Sequence, residues 1–198
     1  YRGEGNKKNS IYVELLKKIM LPRDLIIYPK EISDIEVLVP EERKKVIKEE
    51  LEEMREQYCA LNRLFFDKSY PKSALIEKYT AFINLNPKYY AAYRDRAIIY
   101  THIGKYREAV ADNQLLITHN ERVWSDAIIN KAEALFFLKD YDEALKVANH
   151  YFAICEKPTA ECYRIRAEIF RKLKMSDEYK ADMRESKRLR KEEKNRIW

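Results

Sequence analysis

Glycine is nearly missing. The 198 residues hold three, against a usual share of about 7%. Gly3 and Gly5 lie near the start, so only Gly104 serves the rest of the chain. Glycine-rich loops that cradle phosphate, and tight two-residue hairpin turns, need more than that. Histidine is as scarce. His102, His119 and His150 each lack a His or Cys three or four residues away, and HExxH and CxxC are absent. A metal site needs converging ligands, so no metal is expected. Cys59, Cys155 and Cys162 make an odd, low count, which does not suit a disulfide framework. Cys155 and Cys162 flank "CEKPTAEC" and a bridge between them stays open, although two buried thiols are the favoured reading. No run of 18 apolar residues could cross a bilayer.

Catalytic patterns are missing too. There is no Gly-x-Ser-x-Gly elbow, and Cys59 has no nearby His. Acidic pairs such as Glu52-Glu53 read as a solvated helix face, not as general acid and base. The expectation is a non-enzymatic protein with no cofactor. No signal peptide is visible. The sequence begins at Tyr1 and not at Met. The cytoplasm is favoured as compartment, with a periplasmic or lipid-anchored setting as alternatives.

Hydrophobic residues make up 46% of the chain and charged residues 36%, the latter above the usual ~25%. That balance suits helices with a buried stripe and a solvated outer face. The net charge is +6. Residues 1–30 carry seven Lys or Arg against three acids, and residues 171–198 carry eleven against six. A solvated terminal helix is the expected reading, with nucleic acid or anionic lipid as alternative partners.

The fragments "YREAVADN" at Tyr106 and "YDEALKVA" at Tyr141 begin 35 residues apart. A period in the 20–50 range marks a stacked array. With repeats starting at Arg55, Tyr90, Ser125 and Ala160, position 4 holds Tyr58, Tyr93, Ile128 and Tyr163. Position 8 holds Asn62, Ala97, Ala132 and Ala167, and position 11 holds Phe65, Tyr100, Leu135 and Phe170. Position 20 holds Ala74, Ala109, Ala144 and Tyr179. Positions 4, 8 and 11 share one helical face. Small residues at 8 and 20 let two helices approach, with bulky ones filling the space beside them. "HIGKY" and "LKDY" read as turns within repeats, with Gly104 where a helix end needs a left-handed residue. Asn86-Pro87, His119-Asn120 and Pro158 mark breaks between repeats.

These residues resemble the tetratricopeptide repeat (TPR) family over about residues 55–193. "AYRDRAIIYTHIGKYREAVADN" and "CYRIRAEIFRKLKMSDEYKADM" carry the pattern almost throughout. Asn62, Pro87 and Tyr179 depart from it, in the first and last repeats, where caps are expected. The resemblance implies an all-α fold, a right-handed superhelix of helix pairs, to which the residues upstream add an N-terminal helical extension. It also implies a protein or peptide partner held in the concave groove. The expected division is a tail and helical extension over 1–39 and a helical repeat domain over 40–198.

Upstream, one long helix is expected from about 40 to 67. Residues 1–9 read as disordered. "SIYVELLKKIM" from Ser10 reads as an amphipathic helix stopped by Pro22, and the segment that follows is expected to pack on the first repeat. The C-terminal "ESKRLRKEEKNRIW" is expected to extend the last helix.

Positions 2, 5, 9 and 12 point away from the packed face of each first helix. The candidate groove residues are therefore Arg63, Phe66, Arg94, Ile98, Thr101, Ile129, Glu133, Phe136, Arg164, Glu168 and Arg171. Phe66, Phe136 and the adjacent Phe137 either anchor a ligand or are covered by flanking segments. Arg94 and Arg164 either meet a partner's carboxylates or pair with Glu133, Asp126 or Glu161, the internal pairing being favoured. The Lys/Asn clamp that some TPR proteins use for a C-terminal carboxylate is absent, since Cys59, Arg63, Asp95, Asp126 and Asn130 stand there. Position 5 gives no base-reading code either. The leading expectation is an adaptor or scaffold module. The alternatives are an exported or lipid-anchored adaptor or toxin-neutralising partner, and a nucleic-acid or anionic-membrane binder acting through the basic ends.

Overall fold

The structure, a computed structural model, describes residues 41–196. The expectations for residues 1–9, for the helix from Ser10 and for the segment after Pro22 lie outside the described residues. Among the described residues the fold is all-helical, with eight consecutive helices. They are α1 (Glu41–Phe66), α2 (Lys72–Leu85), α3 (Tyr90–His102), α4 (Tyr106–Asn120), α5 (Ser125–Phe137), α6 (Tyr141–Ile154), α7 (Ala160–Lys172) and α8 (Ser176–Arg196). The first helices α3, α5 and α7 start 35 residues apart, and so do the second helices α4, α6 and α8. The long helix expected over 40–67 is α1.

The chain divides into two compact units, the first ending at Ala92 and the second beginning at Tyr93. In the first, α1 packs on α2. Tyr58, Phe82 and Tyr89 form an aromatic triangle, with ring centroids 4.6 Å apart for Tyr58–Tyr89 and 5.1 Å for Phe82–Tyr89. Leu61, Leu75, Ile76 and Tyr79 complete this core. Between the helices, Asp67 accepts from the backbone N–H and the hydroxyl of Ser69, at 2.8 and 2.6 Å. Those two bonds hold its carboxyl below the usual carboxylate range.

In the second unit α4 to α8 each pack on their sequence neighbours, and α5 also touches α7. The small residues of the 35-residue frame lie at these seams: Ala97, Ala109, Ala132, Ala144 and Ala167 are buried. One continuous core runs from Ile128, Ala132 and Leu135 through Ala144, Val147, Ala148 and Tyr151 to Cys162, Ile165 and Ile169. Burying such side chains is worth about 25 cal/mol per Å². Two of the hairpins carry the same clamp. Arg96 on α3 grips Asp112 on α4 through two bonds of 2.8 Å. Arg166 on α7 grips Asp182 on α8 at 2.7 and 2.9 Å, with its guanidinium lying over Phe152.

The turns inside the three hairpins are alike. Gly104, Lys139 and Lys174 have φ of 80°, 66° and 61°. Each sits at position 15 of its repeat. The next residue's N–H reaches back five positions, Lys105 to Tyr100 at 2.8 Å, Asp140 to Leu135 at 3.1 Å and Met175 to Phe170 at 2.9 Å. This is the Schellman ending of a helix. Between α6 and α7, the thiols of Cys155 and Cys162 are free. Both donate to the Tyr151 hydroxyl oxygen, at 3.2 and 3.3 Å. Burial, with those bonds, pushes the Tyr151 hydroxyl well above its ordinary range.

Candidate functional site

The site starts from the open positions of the first helices. On α1, Arg63 is exposed and Phe66 is 76% exposed, its ring meeting the edge of Phe65 at 5.2 Å. These two residues belong to the first unit. The remaining candidates lie on α3, α5 and α7 in the second.

There position 5 divides. Arg94 donates to Asp95 at 2.9 and 2.7 Å. Arg164 donates to Glu161 at 2.7 Å and to Glu133 on α5 at 3.2 Å, so it joins neighbouring repeats. Ile129 is only 4% exposed and belongs to the core. Its helix is covered by α4, α6 and α7 together, so Ile129 adds packing and little open surface. At position 9, Ile98 is half-buried, Glu133 sits under Arg164, and Glu168 accepts from Arg171 at 2.9 and 2.7 Å. At position 12, the Thr101 hydroxyl donates to the Ala97 carbonyl at 3.1 Å, Phe136 is half-buried and Arg171 is exposed.

Two features dominate the electrostatics and the apolar surface. The Glu133 carboxyl is pushed above the ordinary range by burial, which the Arg164 charge only partly offsets. Arg164 in turn is held charged chiefly by its bonds to Glu161. The aromatic feature is a row of four rings. Phe137 lies flat on Tyr106 at 4.8 Å, meets Phe136 edge-on at 5.4 Å, and Phe136 meets Tyr141 at 5.6 Å. Phe137 keeps 44% of its surface open.

Tyr106 and Tyr141 were not among the expected site residues. Their signal lay in the repeated frame, since both open a second helix at the same position. Among the described residues no three His, Cys, Asp or Glu gather to hold a metal ion, and no helix is long and apolar enough to cross a membrane. No known protein-family model matches the chain, and no curated protein sequence matches it.

Proposed function

We propose that this chain is a TPR-type helical repeat that holds a peptide or a segment of a partner protein, without catalysing a reaction. The observation that carries the reading is the aromatic row at Phe136 and Phe137. Partly open aromatic side chains held by neighbouring rings, beside charged residues, are the composition of a binding hot spot. Arg164 and Arg171 already hold carboxylates, so an acidic ligand would have to displace Glu133, Glu161 or Glu168. That competition favours a partner anchored by an apolar side chain, with charges setting orientation.

The test is a peptide-display selection on the wild type, followed by binding measurements on Phe136→Ala and Phe137→Ala. Selected peptides should share an aromatic or aliphatic anchor. The variants should bind them about tenfold or more weakly, the loss of one hot-spot ring, while circular dichroism stays helical. Peptides held equally well by both variants would place the binding surface elsewhere.

A further inference from the structure

We propose that the outer face of α8 is a second interaction surface, which receives an acidic amphipathic helix of another protein. Lys180, Arg184, Lys187, Lys191 and Lys194 follow each other at 4-3-4-3 spacing and are all exposed. At about 100° per residue they fall within an arc of about 80° and run for about 21 Å. After Ser176, no other residue of α8 points into that arc, so the stripe carries one sign only.

The helix's acids are engaged elsewhere or point away. Glu185 and Glu192 hold Arg188. Asp182 faces α7 and holds Arg166, and on the same side the Ser186 hydroxyl donates to the Ala160 carbonyl at 2.7 Å. Asp177 stands 3.8 Å from Lys180 at the first turn. Among the described residues no ion pair engages Arg184, Lys187, Lys191 or Lys194. A basic last turn would serve the helix dipole, but Lys180, Arg184 and Lys187 lie before it. The acids elsewhere on α8 suffice for a solvated mixed-sign surface, whereas the stripe itself is a line of like charges that repels itself.

A helix is the occupant that the neighbouring surface favours. Beside the stripe lie Tyr179 and Met183, both half-buried, which line a shallow depression with Lys180, Arg184 and Lys187. At the same two repeat positions α4 carries Ala109 and Asn113, and α6 carries Ala144 and Ala148. Those four are buried, and α4 and α6 each receive the following first helix, α5 and α7. Carboxylates three and four residues apart on an incoming helix repeat at the same interval as the stripe, about 5 Å. A polynucleotide would want a ladder of stacking rings, and Tyr179 is the one aromatic here. A membrane would want a broad insertable apolar face, and beside the stripe only Tyr179 and Met183 offer apolar surface, both half-buried.

The experiment is fluorescence anisotropy with a labelled synthetic helical peptide about four turns long. The peptide carries Glu at 3–4 spacing along one edge and Leu beside it. A scrambled peptide of the same composition, an oligo-dT strand and phosphatidylserine vesicles are the comparison probes. The wild type should bind the ordered peptide about tenfold more tightly than the scrambled one, and less tightly as salt rises. Lys187→Glu with Lys191→Glu should cost about tenfold or more. The Lys→Arg pair at the same positions should bind as the wild type does, as should Phe136→Ala, which separates this surface from the proposed groove. Equal binding of the scrambled peptide, indifference to the charge reversal, or tighter binding of oligo-dT or vesicles would overturn the proposal.

Discussion

A side chain at positive φ costs the backbone roughly 1 kcal/mol that glycine does not. Gly104 meets that demand in one hairpin, while Lys139 and Lys174 meet the same geometry with a Cβ. Lys139→Gly and Lys174→Gly should therefore each raise stability, by about 0.5–1 kcal/mol in urea unfolding. Gly104→Ala should lose about as much. Nothing lies closer than 4.0 Å to a Cβ placed there, so the loss would be backbone strain and not a clash. A stability unchanged in all three variants would contradict the shared turn. Gly104 was legible because glycine is so scarce. Lys139 and Lys174 were not, since lysine carries no turn signal and only the 35-residue register exposes them. Ile129 shows the converse limit, because position number alone cannot say how many neighbours cover one helix.

Between helices, the clamps are forked ion pairs with little exposure to water. Arg166 and Asp182 are mostly buried, with side chains 18% and 8% exposed. Removing either partner strands the other, at about 3 kcal/mol. A double-mutant cycle of Arg166→Ala and Asp182→Ala should show coupling above about 1 kcal/mol, whereas strict additivity would reduce the pair to packing. Arg166→Lys should fail to rescue, because an ammonium can neither fork onto Asp182 nor lie flat on Phe152. Across the α5–α7 seam the titration runs the other way from an ordinary surface carboxylate. Glu133 keeps its proton to higher pH folded than unfolded. The folded state then binds more protons, and this group's contribution falls as pH rises from about 4 upward. Glu133→Gln removes that loss, so its stability relative to the wild type should climb from pH 4 to neutrality. A difference that stays flat across that range would mean burial does not govern Glu133. The Arg–Asp pairs recur at positions 7 and 23 in alternate repeats, yet Lys131 and Val147 stand there between them. One interruption hides the rule in the sequence.

At the scale of the molecule, the period was the legible quantity. Bulky and small residues spaced at 35 place both helices of each hairpin, because seam packing tolerates few alternatives. The groove was less legible. Arg94 and Arg164 carry the same side chain at the same position, yet one turns to its neighbour Asp95 and the other bridges to Glu133. Local acids decide that, and no repeat frame encodes them. The hairpin turns have one more consequence. Lys139 and Lys174 are exposed at the tips, where the backbone has left the helix. Brief digestion with trypsin should cut after both before it reaches the lysines and arginines inside the rods. The excised piece, Asp140 to Lys174, would have the mass of one full period, so that a gel would display the repeat as a ruler made of the protein itself.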